Sequence, residues 1–279
     1  MNTKKADVSG NNPTSGYPPE AFYPIFQHFP KEGDAVICGG QAVHILASVF
    51  LTEEEISDLL GEGGSATSAD MDIVATPGLQ KAFELGAFEG KDRLAIKAFG
   101  DTRQSIRFSI IPAELSNTRI DVLRAIKGVH LEKDKVFEDA LELDTPFKVI
   151  NPITLMIAKA ENCASLDQNS STGKRNDFQH LAITVHVVRR FLAEYIRQSD
   201  PEEKQDQREL INLLKKIHKA AKSRTFVKGF QMAGLKLRHA VPSEEIERSS
   251  LETLKNYFNR SFLPAIQAIN NPPPDEYFR

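Results

Sequence analysis

Cysteine is scarce in this 279-residue chain. Cys38 and Cys163 are the only two, and their separation matches no metal-binding spacing. Such sparse use fits a reducing cytoplasm, and both read as small buried hydrophobes. No apolar run approaches the roughly 18 residues that span a bilayer, so no membrane partner is expected. No apolar stretch follows Met1-Asn2-Thr3-Lys4-Lys5-Ala6-Asp7, so no secretory signal is expected either. A dominant charge is missing too: the net charge is -3, which by itself selects no partner. There is no internal repeat. What is present is an ordinary globular composition, 41% hydrophobic and 26% charged. That suffices for a sizeable core in one large domain or two smaller ones.

Within that composition, Asp70 and Asp72 stand one residue apart inside the apolar run Ala69-Asp70-Met71-Asp72-Ile73-Val74. If the run is a strand, its side chains alternate, and the two acids project together while Met71 and Ile73 face the core. Two carboxylates on one strand offer hard oxygen ligands to a divalent metal. Thirty residues earlier, Gly39-Gly40 ends the apolar stretch Ala35-Val36-Ile37-Cys38. A glycine turn that opens a helix can take a phosphate on backbone N–H groups. Asp121, in Ile120-Asp121-Val122-Leu123, supplies a third acid in another short β-like run, with Ile120 and Val122 expected inward and Asp121 outward. Three acids on adjacent strands could serve two metal ions about 3.5–4 Å apart, across an in-line displacement at phosphorus.

Gly39-Gly40-Gln41-Ala42-Val43-His44, Ser68-Ala69-Asp70-Met71-Asp72-Ile73 and Ile120-Asp121-Val122-Leu123, in this order, resemble the nucleotidyltransferase superfamily. The branch most resembled is the AbiEii-type nucleotidyltransferases, which include toxins of toxin–antitoxin and phage-defence systems. Asn151-Pro152-Ile153-Thr154-Leu155-Met156-Ile157-Ala158-Lys159 is similar to the family's lysine-bearing helical stretch. Lys174-Arg175-Asn176-Asp177-Phe178-Gln179-His180-Leu181 is similar to its Lys-x-x-Asp end. The likeness covers roughly residues 35 to 195. It implies Mg²⁺ or Mn²⁺ on Asp70, Asp72 and Asp121, and a nucleoside triphosphate against Gly39, Gly40 and Ser68. Lys159 and Lys174 would contact its phosphates. Asp177 would act as a general base or position one of these lysines. RNA (including tRNA) or protein is the implied acceptor, and a cognate antitoxin the implied partner.

One departure stands between the motifs. The gap from Gly40 to Asp70 is longer than the compact family pattern and holds Thr52-Glu53-Glu54-Glu55-Ile56-Ser57-Asp58-Leu59-Leu60. Thr52 and Glu55 form a capping-box pattern, so this segment reads as an inserted helix, followed by the loop Gly61-Glu62-Gly63-Gly64-Ser65.

Along the chain, residues 1–20 read as a polar, disordered tail and residues 21–150 as a mixed-sheet catalytic domain. Phe22–Phe29 has helical spacing. Strands are expected at 34–38, 71–75, 94–99, 105–111 and 118–123, with a hairpin turn at Gly100-Asp101-Thr102 and helices at 41–51 and 79–85. Residues 144–150 read as an extended bridge. From Pro152 the pattern turns helical, with segments at 152–164, 176–196, 202–222 and 251–269 forming a domain over 151–270, and 271–279 as a Pro-rich tail. The fold class expected is α+β: a small nucleotidyltransferase core followed by a helical domain.

Arg208 to His239 carries nine cations against the single acid Glu209, a net of +8. It reads as a solvated helix face or as a surface for RNA phosphates, through Lys215, Lys216, Lys219, Lys222, Arg224 and Lys228. Only Phe226 and Phe230 interleave it, so base stacking is not indicated. His44, His180 and His186 read as packing or capping residues. Two rivals stay open: a catalytically silent member of the fold used as a binding partner, and a transferase acting on a small molecule such as an antibiotic.

Overall fold

The computed structural model describes residues 17–26, 35–60, 68, 70–85, 94–99, 106–112, 119–167 and 176–270. The expected turn at 100–102, the loop at 61–65 and the tail at 271–279 lie outside them. A short 3₁₀ turn, Pro19–Phe22, leads into α1 (Tyr23–Phe26), and both Pro19 and Phe22 are buried. Residues 17–20, assigned to the tail by composition, therefore form structure.

β1 (Ala35–Cys38) is apolar throughout and fully buried, as a central strand requires. It passes directly into α2 (Gly39–Phe50), which starts two residues earlier than the spacing predicts because both glycines join its first turn. α3 (Glu53–Leu60) realises the capping box: Thr52 N donates to Glu55 Oε2 at 2.9 Å, and Glu55 N donates to Thr52 Oγ1 at 3.2 Å. β2 (Asp70–Ala75) follows, then α4 (Pro77–Glu84), opened by Thr76 as N-cap and Pro77 in the first turn. β3 (Leu94–Ala98), β4 (Ile106–Pro112) and β5 (Arg119–Leu123) continue the sheet.

The extended bridge does more than connect. Lys148–Val149 forms β6, a sixth strand parallel to β1. The sheet order is β3-β4-β5-β2-β1-β6, mixed, with β2/β5 and β1/β6 parallel and the other pairs antiparallel. The fold is mixed α/β, a six-stranded mixed sheet with several helices, in keeping with an α+β class.

α5 (Pro152–Ser165) starts at once, capped by Asn151, whose Oδ1 accepts from Ile153 N at 3.0 Å. α6 (Asp177–Gln198), α7 (Lys204–Ala220), α8 (Arg224–Met232), α9 (Ser243–Arg248) and α10 (Glu252–Tyr257) follow. A π-helical turn at Phe258–Phe262 then leads into α11 (Leu263–Asn270). The single long helix expected over 251–269 is thus broken by the wider turn. No described helix is long and apolar enough to cross a membrane.

Two apolar cores meet at α5 and α6. Leu155 and Ala158 of α5, with Ile183 and Val187 of α6, pack into the sheet core around Ile37, Ile73 and Ile120. Ile153, Met156 and Ala160, with Leu181, Val185 and Val188, pack into the helical core around Leu214, Phe226 and Phe258.

Candidate active site

The alternation of β2 is as its sequence requires: Met71 and Ile73 are fully buried, while Asp70 and Asp72 on the other face keep contact with solvent. The parallel register of β2 and β5 sets Asp72 beside Asp121 and Asp70 beside Arg119. β4 brings Ser109 opposite Asp121 from the far side. One sheet face therefore carries Asp70, Asp72, Arg119, Asp121 and Ser109 side by side.

Asp121 differs from its expected outward place. It sits on the face opposite Ile120 and Val122, yet it is only 1% exposed. Flanking strands and their side chains cover it. Ser109 Oγ donates to Asp121 Oδ1, and Arg119 Nε donates to Asp121 Oδ2 at 2.8 Å. The same guanidinium reaches Asp70 Oδ2 at 3.2 Å, and Ser68 Oγ donates to Asp70 Oδ1 at 3.0 Å. Burial pushes the Asp121 carboxyl up, against these hydrogen bonds, which lower it. For Asp72, burial first and the Asp70 charge second push the carboxyl up to about 7, while Lys159 and Arg119 pull it down. Cys38, opposite Asp72 on β1, has its thiol pushed well up by burial and by that carboxylate.

The inserted helix does not separate the glycines from the acids. Gly39 takes φ +70°, a left-handed conformation that glycine adopts without a Cβ penalty. A Cβ there would lie 2.0 Å from Asp72 Oδ2. Gly40 is equally confined: its Cβ would meet Ser68 Cβ at 2.9 Å, Ser68 Oγ at 3.0 Å and His180 Cε1 at 3.2 Å. Gln41 clips the returning chain in place, since its buried Nε2 donates to Tyr17 O at 2.8 Å and Ser68 O at 2.9 Å. The α2 N-cap, Cys38, makes no side-chain cap hydrogen bond. That start of α2, where backbone N–H groups lack intrahelical partners, is thus set against the carboxylate face.

From the other side, α5 and α6 deliver Lys159 and Asp177, both buried, with Lys159 Nζ 3.2 Å from Asp177 Oδ1. Lys159 Nζ also lies 3.2 Å from His180 Nδ1. The Lys159 charge is felt at both Asp72 and Cys38, which ties this pair to the carboxylates. A buried ion pair is costly to desolvate, and removing one partner leaves a stranded charge, a loss of about 3–5 kcal/mol.

The structure therefore brings together Gly39, Gly40, Ser68, Asp70, Asp72, Asp121, Lys159 and Asp177. Lys174 lies outside the described residues. Arg119, Ser109 and Gln41 belong to the same constellation, as does His180, whose reading as a packing residue omits its contact with Lys159. Arg119 and His180 carried a sequence signal. Arg119 is two residues before Asp121 on one strand, and His180 is three residues after Asp177 on one helix, so both pairs share a face. Chemically, the carboxylates offer hard oxygen donors suited to Mg²⁺ or Mn²⁺. The Asp72 carboxyl is raised first by its burial and then by the Asp70 charge, which Lys159 and Arg119 oppose. Among the described residues, however, no group of three or more His, Cys, Asp or Glu side chains is arranged to hold a metal ion. Arg119 takes up one oxygen each of Asp70 and Asp121 instead. The chain matches no protein-family model, no curated protein and no solved structure.

Proposed function

We propose that this protein is a cytoplasmic, divalent-metal-dependent nucleotidyltransferase built on an AbiEii-like nucleotidyltransferase core. The observation that carries the reading is the packing of Gly39 onto Asp72, which joins a helix start to a carboxylate cluster despite the intervening insertion. The start of α2 takes the triphosphate on its backbone N–H groups, with Ser68 at its edge. Lys159, whose charge acts on Asp72, offsets charge on the phosphates as pyrophosphate departs. Asp177, at ion-pair distance from Lys159, fits a positioning partner for that ammonium better than a general base. Mg²⁺ or Mn²⁺ held by Asp70, Asp72 and Asp121 would supply Lewis-acid neutralisation of phosphate charge. An acceptor hydroxyl gives up its proton to solvent water as its oxygen bonds to the α-phosphorus, the α–β anhydride bond breaks, and pyrophosphate leaves.

RNA is the favoured acceptor class. Lys215, Lys219, Lys222, Arg224 and Lys228 on α7, α8 and their junction are exposed. Part of this charge is already used: Lys219 pairs with Asp134 at 3.1 Å, Lys216 pairs with Asp139, and Lys215 lies over the Tyr257 ring. Lys222, Arg224 and Lys228 are then the cations on which RNA phosphates would draw most. A toxin or defence role with a cognate antitoxin follows from the family likeness alone.

The test is transfer of label. Purified protein is incubated with each α-labelled nucleoside triphosphate, Mg²⁺ and total cellular RNA, beside Asp70→Asn and Asp72→Asn. Label on RNA that disappears in both variants is the expected result; label on protein keeps the chemistry and changes the acceptor. The Arg119 ion pairs also favour a second reading, a silent member of the fold used for binding, which predicts no transfer and no Mg²⁺-dependent nucleotide binding.

A further inference from the structure

From the geometry we infer that Arg119 is a displaceable internal cation, which holds Asp70 and Asp121 until a divalent metal ion takes its place. The inference rests on the metal-binding part of the proposed function. Arg119 joins two strands: it sits on β5, bonds Asp121 two residues along through Nε at 2.8 Å, and crosses to Asp70 on β2 through a terminal nitrogen at 3.2 Å. It takes one oxygen from each carboxylate, while Ser109 and Ser68 take the others. With these bonds in place, each carboxylate oxygen of Asp70 and Asp121 already accepts a hydrogen bond.

Its situation suits release. The Arg119 side chain is half exposed, unlike Asp121, whose side chain is 2% exposed. On leaving, the guanidinium regains water at little cost, whereas the carboxylates stay behind as a pre-formed anionic pair. Asp70 is intermediate in its contact with solvent, which leaves an approach from outside. A guanidinium bonded to these oxygens repels a divalent ion that approaches them. Metal entry is therefore coupled to Arg119 departure.

Competition predicts a sign opposite to that of a structural role. If Arg119 merely orders Asp121, removing it weakens metal binding. If it competes, removal tightens binding, since both the rival bonds and the like charge disappear. The experiment titrates the full chain, stripped with EDTA, with Mn²⁺ by electron paramagnetic resonance. Wild type, Arg119→Gln, Arg119→Lys and Asp72→Asn are compared. Arg119→Gln is expected to bind Mn²⁺ about fivefold tighter, the scale of one partly exposed charge pair. Arg119→Lys, charged but without the two-armed bridge, falls between it and wild type. In EDTA, Arg119→Gln melts below wild type, and the gap narrows on adding Mn²⁺.

Equal or weaker Mn²⁺ binding by Arg119→Gln, with wild-type binding intact and lost in Asp72→Asn, overturns the inference and leaves the metal reading standing. No Mn²⁺ bound by any form overturns both. Should Arg119→Gln not fold, Arg119→Lys decides: tighter binding than wild type supports displacement, and equal or weaker binding ends it.

Discussion

Asp72 carries a cost that the bare fold reveals. In an unfolded chain an aspartate titrates near 3.9, but the folded site raises Asp72 to about 7. The folded state therefore holds this proton more tightly. Its contribution to stability is complete below about pH 4, declines as pH rises from there to about 7, and is level above. Asp72→Asn removes the charge and keeps the shape. Without metal, the variant should melt several degrees above wild type at pH 8, with the gap closing toward pH 4. Saturating Mg²⁺ should reverse the order, because wild type alone then gains a ligand. Thermal melts across pH, with EDTA and with Mg²⁺, measure both; a gap that ignores pH would sink the account. The placement of this residue was legible from Asp-x-Asp alone, since strand alternation puts both acids on one face. The company it keeps was less so. Ser109 reaches Asp121 only through the register of β4 on β5, a long-range pairing that no local pattern encodes.

Elements tell a similar story of local signals and distant partners. The capping box of α3 and the Asn151-Pro152 start of α5 are written within four residues, and both form as read. β6 was not legible, because two residues that pair with β1 carry no period of their own. Nor was the segmentation after residue 222: the apolar spacing runs on through the π turn at Phe258–Phe262, where Phe258 and Phe262 are both buried in one core. α8 is held close against α5. It crosses α5 at Gly229, where a Cβ would lie 1.9 Å from the Ala160 carbonyl oxygen. Backbone cannot yield as a side-chain tip can. Gly229→Ala should destabilise the protein by about 1–3 kcal/mol, the range for overpacking a tight core. Urea unfolding reads this as a lower midpoint at unchanged slope. An unchanged midpoint would mean that α8 shifts freely on α5.

At the scale of the whole molecule, the change of pattern near residue 150 marks a change of secondary structure, while the packing runs across it. α5 and α6 each give one stripe of side chains to the sheet core and another to the helical core. The candidate site lies along this seam, with its acids on β2 and β5 and its lysine, aspartate and histidine on α5 and α6. A chain cut at 150 would expose Leu155, Ala158, Ile183 and Val187 to water. Each is buried in the sheet core, and burying an apolar side chain contributes about 1.5–3 kcal/mol for the larger ones. It would also part Lys159 from Asp72. Calorimetry on the full chain should thus give one transition, with calorimetric and van't Hoff enthalpies in agreement. The isolated 151–270 segment should lack a cooperative melt at any temperature. Two resolved transitions in the full chain, the upper one reproduced by the 151–270 segment, would make the helical half a free-standing unit. The candidate site would then lie between two folded bodies, able to part without unfolding either.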